Sequence, residues 1–473
     1  MTQYFMTSRN APSGQHDCGL PQKEIAMKKT LGIIMALMLV TGLVFAGGDK
    51  EASRSQEIYF LNFKPEIASV YDEVSKAYEA ETGVRLKVVT AASGTYEQTL
   101  TSEIAKNDPP VIFQINGPVG LKNWIAYTAD LKDTALYGIL SDKSLAVTSG
   151  SGVYGIPYVV EGYGIIYNDA ILRKYFALPG KAVSISSATE IKDFATLKAV
   201  VEDIQKNKAA LGIGGAFAST SFAPGNDWRW QTHLPNQPLF YEFDAAKGNG
   251  SALEAGLAAK EVAFSYGSAF KNLFDLYLNN SITAPGLLAN KSVDDSMAEF
   301  ALGQVAFVQN GNWGAGQILG VQGNTVKNED IKFLPLYFGV PGESQYGLNI
   351  GTENYFAINK TVSAAKQQAA IDFLTWLFSS ETGKGFVIGK LGFIAPFNTF
   401  GPNEQPSDPL AKEIVRWLNA PGVTSVPWIF QAFPSNEFKT VFGSALLEYT
   451  QGSKTWAQVE DIFRSTWKAE SLY

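Results

Sequence analysis

The side chains best equipped for chemistry in this 473-residue chain are indoles, amides and carboxylates rather than nucleophiles. The stretch "GQVAFVQNGNWGAG", Gly303 to Gly316, sets Asn312 and Trp313 among glycines behind an apolar run. Upstream, "VDDSMAEFALG" puts Met297, Phe300 and Ala301 on one helical face and stops at Gly303, a good residue just past a helix end. Gln304 to Val308 has the length of a buried strand, and Asn310-Gly311 is expected to end it. Trp313 then lies just past the strand's carboxyl end, where open α/β sheets bind ligands. Core packing is the competing role for so large a ring.

Several reaction classes lack their residues. The chain has one cysteine, Cys18, and two histidines, His16 and His233. Cys18 and His16 precede "MKKTLGIIMALMLVTGLVFAGG", in which Lys28 and Lys29 form a basic n-region, Leu31 to Phe45 an apolar h-region and Val44-Phe45-Ala46 a small-residue cleavage site. This reads as a cleaved secretory signal peptide, short for a membrane span. Residues 1–26 are expected to be an upstream extension with Met27 as the start, 27–46 the signal peptide, and the product exported to a periplasm. Gly47 and Gly48 stand where a bacterial lipoprotein carries its cysteine, which argues against a lipid anchor. The exported part therefore has no disulfide, no thiol nucleophile and no thiolate metal site, and too few histidines for an ordinary zinc centre. His233 sits in "WQTHLPNQP" with no G-x-S-x-G nearby. No P-loop occurs, and "GIGGAF" at Gly212 lacks the third glycine of a dinucleotide motif. Neither metal nor cofactor is expected. A net charge of −7 without a polybasic run disfavours nucleic acid and anionic membranes. What remains open to an enzyme is a pair of carboxylates, as in glycosidases.

The elements that must position these residues alternate. "IYFLNF" from Ile58 reads as a strand. A helix follows with Ile67, Val70, Val74 and Tyr78 on one face and Gly83 as its stop. Val84, Leu86 and Val88 alternate as a second strand. Tyr96, Leu100 and Ile104 line a second helix, broken by Asp108-Pro109-Pro110 ahead of a third strand, "VIFQI". Strand and helix in alternation imply a parallel sheet covered on both faces. Its polar strand ends, at Asn62, Ser93-Gly94-Thr95 and Gln114-Ile115-Asn116, converge on one edge. Further helices are expected in "EIKDFATLKAVVEDIQKN", "SAFKNLFDLYLNN" and "AAKQQAAIDFLTWLFSSETGKGF". The length suggests two lobes.

Four stretches, "SGTYEQTLTSEIAKNDPPVIFQIN", "YGIPYVVEGYGIIYN", "MAEFALGQVAFVQNGNWGAGQI" and "GTENYFAINKTVSAAKQQAAIDFLTWLFSSETGKGFV", carry a resemblance in their order and spacing. The chain resembles the carbohydrate-class extracellular solute-binding proteins, the maltose-binding-protein-like receptors of ABC importers. The resemblance implies a two-lobed α/β fold of the periplasmic-binding-protein type II kind, each lobe a mainly parallel sheet flanked by helices, with the ligand cleft between. It implies a first lobe of residues 57–160 and 337–390 and a second of 164–336 and 391–473. Crossings would fall near Val160-Glu161, Leu336 and Phe393 to Pro396. The implied partners are a carbohydrate and the membrane permease of an ABC importer, the chain itself being a monomer and no enzyme.

A sugar offers apolar ring faces and a rim of hydroxyls, so its site needs flat aromatics and planar polar groups. Trp313, with Asn312 beside it, is the first candidate platform. In "NDWRWQTH", Trp228 and Trp230 would share a face and Arg229 oppose them if the segment is extended. Trp428 lies in the Pro-bounded "PWIFQAF". Each of these has packing as its alternative role. Glu161 sits in an apolar run where an unpaired carboxylate is costly, so it bonds either sugar hydroxyls or the hinge. Gln114, Asn116, Tyr96 and Asn62 are first-lobe polar candidates, with solvated or turn-forming roles as alternatives. "NIGTENYF" adds Asn349 and Glu353, the latter a ligand acid or a cap. Trp124, Trp376, Trp417, Trp456 and Trp467 fall on helical patterns and are assigned to packing. A two-carboxylate glycosidase drawing on Glu161, Asp227 or Glu353 is the rival reading, and a sugar-sensing, lectin-like receptor the third.

Overall fold

The computed structural model describes residues 57–91 and 94–471. The expected extension, the signal peptide and Ser93 lie outside the described residues. Strand Ile58–Asn62 is buried at every position and pairs in parallel with Leu86–Thr90 and Ile112–Ile115. Helices Ala68–Thr82 and Tyr96–Ile104 make the two crossovers. The first closes at Gly83 with φ 73, the left-handed cap that glycine adopts at no steric cost. Tyr71, Val74 and Tyr78 face the core, whereas Val70 is only half-buried. A fourth strand, Tyr355–Ile358, returns antiparallel on Ile112–Ile115, giving the order Tyr355–Ile358, Ile112–Ile115, Ile58–Asn62, Leu86–Thr90.

The second sheet is built around Glu161–Asn168, whose residues are all buried. It runs antiparallel to Val305–Gly311, Ile331–Leu334 and Tyr346–Gly351, while Gly215–Phe217 and Thr424–Val426 join the outer strands in parallel. This sheet is therefore mixed where a mainly parallel one was expected. Its central strand arrives from the other lobe and is not bound by the right-handed crossover that aligns neighbouring strands. Strand Val305–Gly311 also runs through Asn310-Gly311 instead of stopping there, because both pair with Gly164 and Tyr163 of the central strand.

The second and third crossings differ from those expected. The chain leaves the first lobe at Val160, whose N–H donates to Ile394 O at 2.7 Å. Because Tyr346–Gly351 belongs to the second sheet, the return falls at Thr352 to Asn354, not at Leu336. The breakers Pro335 and Gly339 mark a loop inside the second lobe, where Glu343 accepts from the Phe338 and Gly339 amides. Asn354 takes the bend with φ 60. Leu391, Phe393 and Phe397 pack in the first-lobe core, so the last crossing follows Phe397. Among the described residues no helix is long and apolar enough to cross a membrane.

Close packing at the central strand gives a test. A Cβ on Gly164 would stand 2.4 Å from Leu334 O, a backbone atom that cannot swing aside. Gly164→Ala is expected to lose about 2 kcal/mol or more in urea unfolding. Gly138→Ala, whose Cβ meets nothing within 4 Å on a short helix, should be neutral or gain up to about 1 kcal/mol.

Candidate functional site

Trp313 sits in the 3-10 turn Asn312–Gly314 directly after strand Val305–Gly311. Asn312 Oδ1 accepts the Gly162 N–H at 2.9 Å and ties this turn to the hinge strand. The indole folds back over Gly311, where a Cβ would lie 2.2 Å from the ring. Glycine at 311 is thus a condition of the indole's position. Trp313 is half-buried, with ring centroids of His233, Trp228, Tyr163 and Trp428 at 5.4, 6.0, 6.3 and 6.4 Å. Behind it, His233 stacks on Tyr163 at 4.4 Å, and Phe430 lies 5.1 Å from Trp428. Burial, with Arg229 adding to it, holds the His233 imidazole neutral. Together these rings form an aromatic wall on the second lobe, each pair worth about 0.5–1.5 kcal/mol beyond the area it buries.

The segment "NDWRWQTH" is not extended. Arg229–His233 forms one π-helical turn, so Trp228 and Trp230 point apart instead of sharing a face. Trp230 is buried against Phe274 and Tyr277 and donates to Ser221 O at 3.1 Å; it belongs to the core. Trp228 stays half-buried on the wall, with the Arg229 guanidinium 4.7 Å over its ring. Arg229 is 1% exposed, and burial lowers it to about 9. Trp428 is likewise buried, with its indole N–H lacking a partner among the described residues.

The first lobe brings charge to this wall. Lys64 Nζ contacts both Glu161 oxygens, at 2.8 and 3.1 Å, and Glu66 at 3.3 Å, and lies 5.8 Å over the Trp313 ring. Burial disfavours the ammonium, but the two carboxylates outweigh it and hold Lys64 above the ordinary lysine range. Lys64 and Glu161 thereby join the turn after the first strand to the hinge strand. Glu353 is half-buried nearby and makes no ion pair within 4.0 Å among the described residues. Burial raises its carboxyl to about 7, against the pull of Lys64 and Lys439. Lys439, on helix Asn436–Thr450 of the second lobe, faces Glu353 and Glu97 and is lowered by burial.

The other polar candidates are tied into the fold. Tyr96 is buried, donates to Leu61 O at 3.2 Å and accepts the Gln114 amide at 2.7 Å. Gln114 Oε1 accepts the Phe63 N–H at 2.6 Å. Asn62 shapes the Lys64 turn, donating to Lys64 O at 2.7 Å and Thr90 Oγ1 at 3.0 Å. Asn349 exchanges bonds with Asn236 at 2.7 Å and Gln237 at 3.1 Å inside the second lobe. Polar strand ends are here satisfied by neighbouring turns. Asn116 differs: half-buried, its Oδ1 has no hydrogen-bond partner among the described residues. Lys64, Tyr163, Gln431 and Lys439 were not anticipated. Only Lys64, directly beyond a buried strand end, carried a local signal.

A family profile described as "Bacterial extracellular solute-binding protein" matches residues 73–412. Among solved structures, a chitin oligosaccharide binding protein superposes with TM-score 0.67 at 17% identity, covering 89% of this chain and 100% of that one. The solute-binding protein RafE in complex with raffinose gives 0.64 at 17% identity over 88% and 99%. Maltose-bound MalE3 of T. maritima gives 0.64 at 16% over 87% and 99%. No curated protein matched the chain.

Two stability tests follow from the charges. Lys64→Ala strands Glu161 in the interior and should cost roughly 3–5 kcal/mol in denaturant unfolding. Glu353, raised from 4.5 to about 7, favours the folded state most below its unfolded value. Stability of the parent protein relative to Glu353→Gln should therefore fall as pH rises from 4.5 to 7, read from melting temperatures across that range.

Proposed function

Because the chain belongs to the bacterial extracellular solute-binding protein family, we propose that it is an exported receptor that captures a saccharide between its lobes and delivers it to an ABC importer. The observation carrying this reading is Trp313, a half-exposed indole held at a strand end by Asn312 and Gly311 and backed by further rings. Such a surface suits the apolar face of a sugar ring, and the polar groups around it suit the hydroxyl rim. Trp313, Trp228, Glu353 and Asn116 are the side chains assigned to ligand. Lys64 and Lys439 carry charge at the margin. Trp230, Tyr96, Gln114, Asn62, Asn349 and Asn312 hold the scaffold, Arg229 and Trp428 support the wall, and Glu161 fastens the hinge.

The role as receptor is supported by proteins of the same architecture known as a chitin oligosaccharide binding protein, raffinose-bound RafE and maltose-bound MalE3. Binding without turnover is the reading we favour, and the state of Glu161 supports it. Glu161 has both oxygens engaged by Lys64, which disfavours it as the nucleophile or acid of the glycosidase alternative and leaves Asp227 and Glu353 as the carboxylates that alternative would need. Closure would draw on the sugar's greater affinity for the closed form. Export by cleavage after Ala46, a permease partner and a monomeric state complete the proposal.

The test is a thermal-shift screen of residues 47–473 against saccharides, with recovery of the sugar. A ligand at about 100 times its Kd should add roughly 2.7 kcal/mol of stability, and Trp313→Ala should abolish the shift. Hydrolysis of the sugar would favour the glycosidase, and the absence of any shift would contradict the receptor reading.

A further inference from the structure

Besides the Lys64 contacts with Glu161 and Trp313, the two lobes touch at two further places along the carboxyl edge of the first sheet, one to either side of the Lys64 turn. One is the Gly94 turn beyond Leu86–Thr90: a Cβ there would stand 3.2 Å from Gly225 Cα of the second lobe. Both glycines have positive φ, 76 and 75, so two side-chain-free turns meet at backbone range. The other is Gln431, on the 3-10 turn Ile429–Ala432 of the second lobe. Its Nε2 donates to Thr352 O at 3.0 Å, and its Oε1 accepts from Tyr355 OH at 3.1 Å. The same oxygen lies over Gly117, where a Cβ would be only 2.7 Å away.

These contacts bracket the site. Gly94 follows the edge strand Leu86–Thr90, and Gly117 follows Ile112–Ile115, with only Ile58–Asn62 between those strands. The turn after that middle strand carries Lys64, which lies over Trp313. Two strand spacings separate the flanking strands, about 10 Å. With bonds of about 1.5 Å, a linked hexose repeats roughly every 5 Å. The bracketed length therefore seats one or two rings.

We infer that the cleft is closed at both ends by the Gly94–Gly225 and Gln431–Gly117 contacts and admits only a mono- or disaccharide, which it encloses whole. The inference rests on the saccharide-receptor reading and adds the size of the ligand. Gln431 is then a specificity-determining residue that acts by blocking one end of the groove, not by bonding the sugar.

Titration calorimetry of the mature chain against a ladder of mono-, di-, tri- and tetrasaccharides of matched linkage tests this. The expected result is binding of a mono- or disaccharide with at least about 100-fold discrimination against the tetrasaccharide. Gln431→Ala, with its melting temperature confirming the fold, should keep the short ligand and narrow that gap about tenfold. A tetrasaccharide bound as tightly as its disaccharide would overturn the size inference and leave the receptor reading standing. An unchanged gap in folded Gln431→Ala would overturn the blocking role of Gln431. Failure of every saccharide to bind would overturn the receptor reading and the inference with it.

Discussion

The buried ion pair of Lys64 and Glu161 is the contact on which the site depends. Lys64 belongs to the turn after the first strand of one lobe, and Glu161 opens the central strand of the other. Two ions of 5% and 2% exposure repay their desolvation only with close geometry, and here one ammonium spans both carboxylate oxygens. The pair fixes where the first lobe's edge stands relative to the second lobe's aromatic wall. It also sets a positive charge over Trp313, so that hinge, wall and first-lobe edge share one anchor.

From that anchor the rest is layered outward. The central strand carries Gly162, whose N–H holds Asn312, and Tyr163, whose ring supports His233. Gly311 lets the Trp313 indole lie flat, and the Arg229 turn presents Trp228 at its side while sinking Trp230 into the core. Most polar side chains at the first-lobe edge serve to shape turns. The surface left for a ligand is consequently aromatic on one side and charged at its margin.

Local patterning made the first lobe readable. Strand Ile58–Asn62, the helix capped at Gly83 and the buried stripe Tyr96, Leu100, Ile104 are each specified by neighbours in sequence. Trp313 at a strand end was legible for the same reason. The mixed second sheet was not, since the pairing of Tyr346–Gly351 with Glu161–Asn168 joins segments far apart in the chain. The extended reading of "NDWRWQTH" failed because apolar spacing of two also fits a tight helical turn, and tertiary packing chose the turn. Gln431 and Lys439 escaped notice because their roles exist only once two lobes meet. Glu161 was recognised as an expensive buried acid, but its partner lay 97 residues away.

Small-angle X-ray scattering of the mature chain, with and without a saccharide that stabilises it, tests the central claim that a sugar is captured by lobe closure. The account predicts a smaller radius of gyration with the sugar present, return to the larger value when it is dialysed away, and sugar recovered intact. A bound sugar that leaves the radius unchanged, or that is recovered cleaved, would contradict it.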